Sequence, residues 1–448
     1  MREPFFTVPV GPNFALRNVT APRCLLPVRD DGTSDLCRVD LVVEHGVIAA
    51  IEPAGRLRSE RGPDLDGSMV LPGLIDCHTH LDKGHIWPRK PNPTGDPDGA
   101  GSATAEDRES RWTADDVRRR MDFGLATAYS HGVVAIRTHL DSLAPQAAIS
   151  FPVFCEARDR WAGRIDLQVS SIAPLDLFLG DAGRELADIV AESGGQLGCA
   201  TSFRAIENVP LPPEFDIAMT NLFALARERG LDVDLHVDET GDPRVLSLIR
   251  IAQIAIEVEF PGKILCGHCC SLALQTDAKL AETLDACFAA GIAIVSLPPV
   301  NMYLQSRHSG MTPRWRGTAP VHEIRARGLL VAVAGDNVRD PFYAYGDHDM
   351  LDTFTQSLKI LQLDAPIGDW IAAATKNPAA IMRLANRGTL EPGSPADLIV
   401  LRARNYSELL SRHQGDRIVL RAGRAIDTTP PDYRELDDLM TRDLPAAS

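Results

Sequence analysis

Between residues 71 and 334, short β-branched apolar runs alternate with longer stretches whose apolar positions recur every three or four residues. The runs predict strands over 73–78, 133–139, 166–172, 197–202, 233–237, 263–266, 292–297 and 330–334. The periodic stretches predict helices over 114–130, 182–193, 213–229, 243–259, 277–290 and 321–327. Eight strand–helix repeats argue for an α/β fold, a closed (β/α)8 TIM-type barrel. A doubly wound sheet is the competing arrangement. It wants a Gly-rich phosphate loop after its first strand, whereas this first strand ends in His78-Thr79-His80.

Outside that region the rhythm is different. Residues 14–19, 39–43 and 47–51 alternate as strands, punctuated by Asp30-Asp31-Gly32 and His45-Gly46, with no helix. Strand chemistry returns at 395–401 and 417–421. The two chain ends are therefore expected to join in one small β-sandwich, giving domains 1–70, 71–385 and 386–448. Residues 91–110, rich in Pro, Gly and Asp, read as a long loop, an active-site lid or substrate loop rather than a simple connector. The tail from Thr428 reads as surface wrapping.

Composition narrows the function classes. The formal charge, 46 − 61 = −15, repels phosphate backbones and excludes nucleic acid as a partner. Nine cysteines, an odd number, fit free thiols in a reducing compartment. Met1-Arg2-Glu3-Pro4 does not look like a secretory signal, and no uncharged apolar stretch is long enough for a bilayer. The expectation is a cytoplasmic protein with no membrane partner.

Four sites along the chain carry chemistry. Residues two apart on a strand share a face, so His78 and His80 can grip one ion; two hydrogen-bonded strand histidines are the plainer alternative. His236 ends the fifth strand as a third nitrogen donor, and Glu239 follows within reach of a water. Asp238 reads as part of a solvated acidic edge. His268 follows an apolar strand and Gly267, where a structural role competes with a catalytic one. Asp336 ends a fully apolar strand. That is costly for a carboxylate unless it is paired, metal-bound or a helix cap. Three nitrogens and one carboxylate suit a divalent ion, Zn²⁺ or Fe²⁺, that lowers the pKa of water to about 7.

At these residues the sequence resembles the cytosine deaminase branch of the amidohydrolase superfamily. The likeness runs from Leu71-Pro-Gly-Leu-Ile-Asp-Cys-His-Thr-His80-Leu-Asp82 to Gly393-Ser-Pro-Ala-Asp397. It passes through Arg137-Thr-His139-Leu-Asp141, Asp166-Leu-Gln168, His236-Val-Asp-Glu239, Val300-Asn301-Met-Tyr-Leu304-Gln305-Ser-Arg307 and Asp336-Asn-Val-Arg-Asp340-Pro341. The resemblance implies one metal per subunit held by His78, His80, His236 and Asp336. It implies that Asp336 takes a proton from water, Glu239 shuttles protons, and His268 stabilises developing charge. It implies a small-molecule N-heterocycle substrate, ammonia as the leaving group, and a homo-oligomer. Two-metal relatives carry a lysine at the end of strand four; Cys199-Ala-Thr-Ser202-Phe203-Arg204 has none, which argues for one metal.

The chain departs from the pattern where Leu175 replaces a ring-binding Gln, Asn337 a second Asp and Phe342 a Trp. Leu offers neither donor nor acceptor, so plain cytosine would leave polar edges unpaired at about 1–3 kcal/mol each. A substituted pyrimidine, a triazine or a pterin-like ring fits better. Release of an alkylamine, or opening of a cyclic amide, is the alternative reaction. Leu175, Asn301, Gln305, Arg307, Asn337 and Phe342 are the candidate substrate contacts, with Arg316 in the same role; Lys83, just after the His-x-His, reads as a loop residue or a substrate contact rather than a ligand.

Overall fold

The computed structural model describes residues 5–27, 34–203, 209–413 and 415–441. The Asp30–Gly32 turn and Arg204 lie outside them. Eight strands carry the repeats: β1 (Leu74–Thr79), β2 (Val133–Asp141), β3 (Asp166–Ile172), β4 (Leu197–Ala200), β5 (Val233–Val237), β6 (Ile264–His268), β7 (Ile292–Ser296) and β8 (Val331–Val333). They are ordered β1-β2-β3 in one sheet and β4-β5-β6-β7-β8 in another, the second parallel throughout. Isolated parallel bridges link the two sheets, Ser170 to Gln196 and Thr79 to Asp336. The eight strands thus form a ring, the barrel expected from the alternation.

Helices are found at all six stretches where the 3.6-residue period placed them, and Ala147–Trp161 and Met350–Leu361 are further helices it did not mark. Pro213–Arg229 buries Phe215, Ala218, Met219, Leu222, Phe223 and Ala226, one face of a helix, and ends on Gly230 at φ 66°. Ala114–Ser130 and Asp277–Ala289 follow the same logic. The 91–110 segment corrects the sequence reading, because Pro97–Arg111 is a helix. Asp96 caps it by accepting from the Gly99 N–H, and Pro97 takes the first turn, where its missing N–H costs nothing.

The chain forms two compact units. One comprises Met1–Asp76, Ala126–Ala135 and Asp349–Pro430; the other Cys77–Leu125, Ile136–His348 and Pro431–Ser448. The first holds a seven-stranded sheet drawn from both chain ends. Its strands run in the order Arg424–Ala425, Ile418–Arg421, Leu398–Leu401, Met69–Pro72, Asn13–Pro22, Leu36–Glu44 and Val47–Pro53. Alternate residues Leu16, Leu41, Val43, Val70, Leu398, Val400 and Leu420 build its core. Among the described residues no helix is long and apolar enough to cross a membrane. All nine cysteines are free thiols; Cys266 and Cys269 stand in C-x-x-C spacing, which the sequence reading passed over, and both are buried.

Candidate active site

The second unit gathers the chemistry-bearing residues at the carboxyl ends of the barrel strands, where barrel enzymes work. His78 and His80 come from the end of β1, His236 from β5, His268 from the last position of β6, and Asp336 follows β8. All five are buried. His80 Nε2 lies 3.2 Å from Asp336 Oδ1 and 3.4 Å from His236 Nε2, and His78 Nε2 lies 3.7 Å from the same Asp336 oxygen. Donor atoms of His78, His80 and Asp336 lie within 4.8 Å of one another, as do those of His78, His236 and His268. His268 (φ 68°) and Asp336 (φ 60°) hold left-handed backbone, a strain of about 1–3 kcal/mol each that clusters at functional sites.

The electrostatics suit a cation. Burial holds His78, His80 and His236 far below the usual imidazole pKa, so their ring nitrogens keep lone pairs at neutral pH. Burial pushes the Asp336 carboxyl up, and neither of its oxygens accepts a well-formed hydrogen bond. A buried carboxylate without aligned donors is expensive. A divalent ion among these donors resolves that cost, so the residues fit the group. The helix-cap alternative for Asp336 fails on the same observation.

Glu239 stands beside this cluster. Its Oε1 lies 3.3 Å from His268 Nδ1 and accepts from Asn301 Nδ2 at 3.1 Å. Asn301 Nδ2 also lies 2.9 Å from His268 Nδ1, and Gln305 Nε2 donates to the Glu239 carbonyl at 3.1 Å. Burial, then the Asp336 charge, raises the Glu239 carboxyl to about 8. Burial lowers His268 to about 4. Asp238 corrects the sequence reading: it is buried, not solvated, and accepts from the Ser247 and Leu248 N–H groups at 3.2 and 3.1 Å.

A cavity of about 1150 Å³ opens at the same strand ends, lined by Lys83, Arg108, Asp141, Pro174, Ala200 and Phe342 among others. Ala200 pairs in register with His236. Lys83 Nζ lies 2.6 Å from Asp141 Oδ1 and 5.4 Å from the Phe342 ring centre; Arg108 holds the other Asp141 oxygen at 2.9 Å. Of the residues singled out in the sequence as substrate contacts, Lys83, Asn301, Gln305 and Phe342 are brought to the site or cavity. Asn337 is buried and donates to Asp340 Oδ2 at 2.7 Å. Leu175 is fully buried and lies outside the cavity lining, where Pro174 and Leu177 stand instead. Arg307 is exposed and stacks on Tyr303 at 4.2 Å; Arg316 is exposed too. Sequence reasoning gave no role to His139, Asp234 and Arg137, although Arg137 and His139 share a strand face at i, i+2 and Asp234 precedes His236 by the same spacing.

Comparison with known proteins agrees with this geometry. The model of the Amidohydrolase family matches residues 171–425. The chain is 46% identical over 443 residues to a pterin deaminase of Rhizobium rhizogenes, covering 98% of this chain and all of that protein. It is 26% identical over 355 residues to an N-isopropylammelide isopropyl amidohydrolase of a Pseudomonas species, covering 75% and 81% of the two chains. Among solved structures, 5-methylcytosine deaminase from Klebsiella pneumoniae, liganded with phosphonocytosine, superposes with a TM-score of 0.78 at 23% identity, covering 92% and 98%. The chain belongs to the amidohydrolase family.

Proposed function

We propose that this amidohydrolase hydrolytically deaminates a pterin-like bicyclic aminoheterocycle, adding water at the amino-bearing ring carbon and releasing ammonia. The observation that carries the reading is the clustering of His78, His80 and Asp336, with His236 Nε2 3.4 Å from His80 Nε2 and Glu239 and His268 beside them. Those four residues would hold one divalent cation, Zn²⁺ or Fe²⁺. When bound, it supplies Lewis-acid activation of water. Asp336 takes the proton from water. Glu239, protonated at neutral pH by its raised pKa, delivers protons to the ring nitrogen and the departing amine. His268, neutral and held by Asn301, faces the developing negative charge.

One observation favours a bicyclic ring over cytosine. The relative that matches the full chain at 46% identity is a pterin deaminase. That whole-chain match also favours ammonia release over the alkylamine release suggested by the 26% relative. The test is product analysis with cation-loaded protein on aminopterins, cytosines and N-alkyl triazines. Ammonia from a pterin, with little turnover of cytosine, is expected. Alkylamine release as the dominant activity, or no turnover of any ring, overturns the reading.

A further inference from the structure

Below the candidate metal site the barrel interior is polar where a core is expected. Asp234 sits two residues before His236 on β5, on the same face and one tier deeper. It is fully buried. Its Oδ2 takes Arg137 Nη1 at 2.9 Å, and Arg137 is itself fixed by two bonds to Gln168 Oε1, at 3.1 and 2.8 Å. Its Oδ1 lies 3.0 Å from His139 Nε2, at ion-pair distance but outside hydrogen-bond alignment. His139 then touches both members of the His-x-His pair. Its ring packs on His78 with centroids 4.0 Å apart, and its backbone carbonyl accepts from His80 Nδ1 at 3.2 Å. That bond leaves His80 Nε2 as the lone-pair nitrogen, the atom facing Asp336 and His236.

We propose that Asp234 and His139 are positioning residues: Asp234 anchors the His139 ring, which sets the plane of His78, while the His139 backbone fixes the tautomer of His80, so that together they set the site's affinity for its cation. The inference rests on the metal reading above. Its physical content is that a ligand imidazole must be held to within a few tenths of an ångström, and only packed or bonded neighbours can hold it. A second reading is purely architectural, with Arg137 and Asp234 pinning β2 to β5. The two differ in what they do to cation binding.

The experiment measures Zn²⁺ affinity by competition with a chromophoric chelator, and the visible spectrum of the Co²⁺-loaded protein. The proteins are wild type, Asp234→Asn, His139→Phe and the double variant. Apo melting temperatures accompany each. The expected result is a 10- to 100-fold weaker Zn²⁺ affinity for each single variant, with altered Co²⁺ bands. The double variant should be no weaker than the worse single one, because both changes break one linkage. Asp40→Asn supplies the control for stability alone. Asp40 is fully buried in the seven-stranded sheet and accepts from the Asn18, Gly55 and Leu57 N–H groups. It should lower the melting temperature and leave Zn²⁺ affinity alone. If Asp234→Asn fails to fold, His139→Phe carries the test by itself. Wild-type Zn²⁺ affinity and Co²⁺ spectrum in either folded single variant overturn the inference. Failure of the wild type to take up one equivalent of Zn²⁺ overturns the metal reading and this inference with it.

Discussion

Gly267 offers a direct test of how tightly the site is built. It lies on β6, one residue before His268, and its backbone is outside the left-handed region, so alanine meets no conformational strain there. The added Cβ would stand 3.0 Å from His78 Cε1, 3.2 Å from His78 Nδ1 and 3.5 Å from the Leu235 carbonyl. Carbon contacts are comfortable at about 3.5–4.0 Å, so the His78 ring must retreat by about 0.5–1 Å. It has little space for that, since the His139 and His236 rings pack on it with centroids 4.0 and 4.5 Å away. Overpacking of this kind costs about 1–3 kcal/mol. Metal–nitrogen distances tolerate about 0.2 Å, so the cost falls on cation binding. It corresponds to about 5- to 150-fold weaker affinity. Chelator competition at neutral pH reads that number, and an apo melt shows whether the fold is intact. Wild-type affinity in Gly267→Ala would refute the claim that His78 is a confined ligand.

Other outcomes follow from the same geometry. Glu239→Gln keeps an oxygen for Asn301 but carries no transferable proton, so steady-state ammonia release should fall about 10²–10⁴-fold with cation content unchanged; near-wild-type turnover removes Glu239 from the mechanism. Gly198→Ala would put a Cβ 2.3 Å from the Asp234 carbonyl and 2.4 Å from that of Ser171, both backbone atoms that cannot swing away. Its loss should appear as global stability in a denaturant melt, at the upper end of about 1–3 kcal/mol. At Asp349, burial raises the carboxyl pKa, but the Arg417 charge and hydrogen bonds outweigh it and hold the value below 3.8. Its stabilisation is therefore full above about pH 4 and is lost as pH falls through the lowered value. Asp349→Asn should cost about 3 kcal/mol at neutral pH, and its melting curve should converge with wild type in acid; a gap independent of pH counts against the pair.

The sequence was most readable where one local signal sufficed. Pro213–Arg229 and Ala114–Ser130 carry apolar residues at helical spacing, and both helices lie at the expected residues. The Pro97–Arg111 helix escaped because its buried face is Gly99, Ala100, Ala103 and Thr104, small residues that give no apolar stripe and read as loop chemistry. Its one strong signal, Asp96 before Pro97, is a cap followed by a first-turn proline. Asp238 was misread because a run of acids looks wet until a helix N-terminus is seen to need it. The tier of Arg137, His139 and Asp234 was harder. Each residue alone resembles a polar interruption in a strand, and their common purpose exists only once β2 and β5 face one another across the ring.

The ring closes at a seam. The Asp336 N–H donates to the His78 carbonyl at 2.8 Å, and Thr79 Oγ1 donates to the Asp336 carbonyl at 2.7 Å across 257 residues of chain. A ribosome making this protein releases the first half of the constellation long before the last. His78 and His80 must wait, in whatever partial fold the nascent chain holds, until β8 is delivered. On the metal reading proposed above, any fragment ending before residue 336 lacks the closing carboxylate, so an incomplete chain is expected to be inert rather than a half-working catalyst.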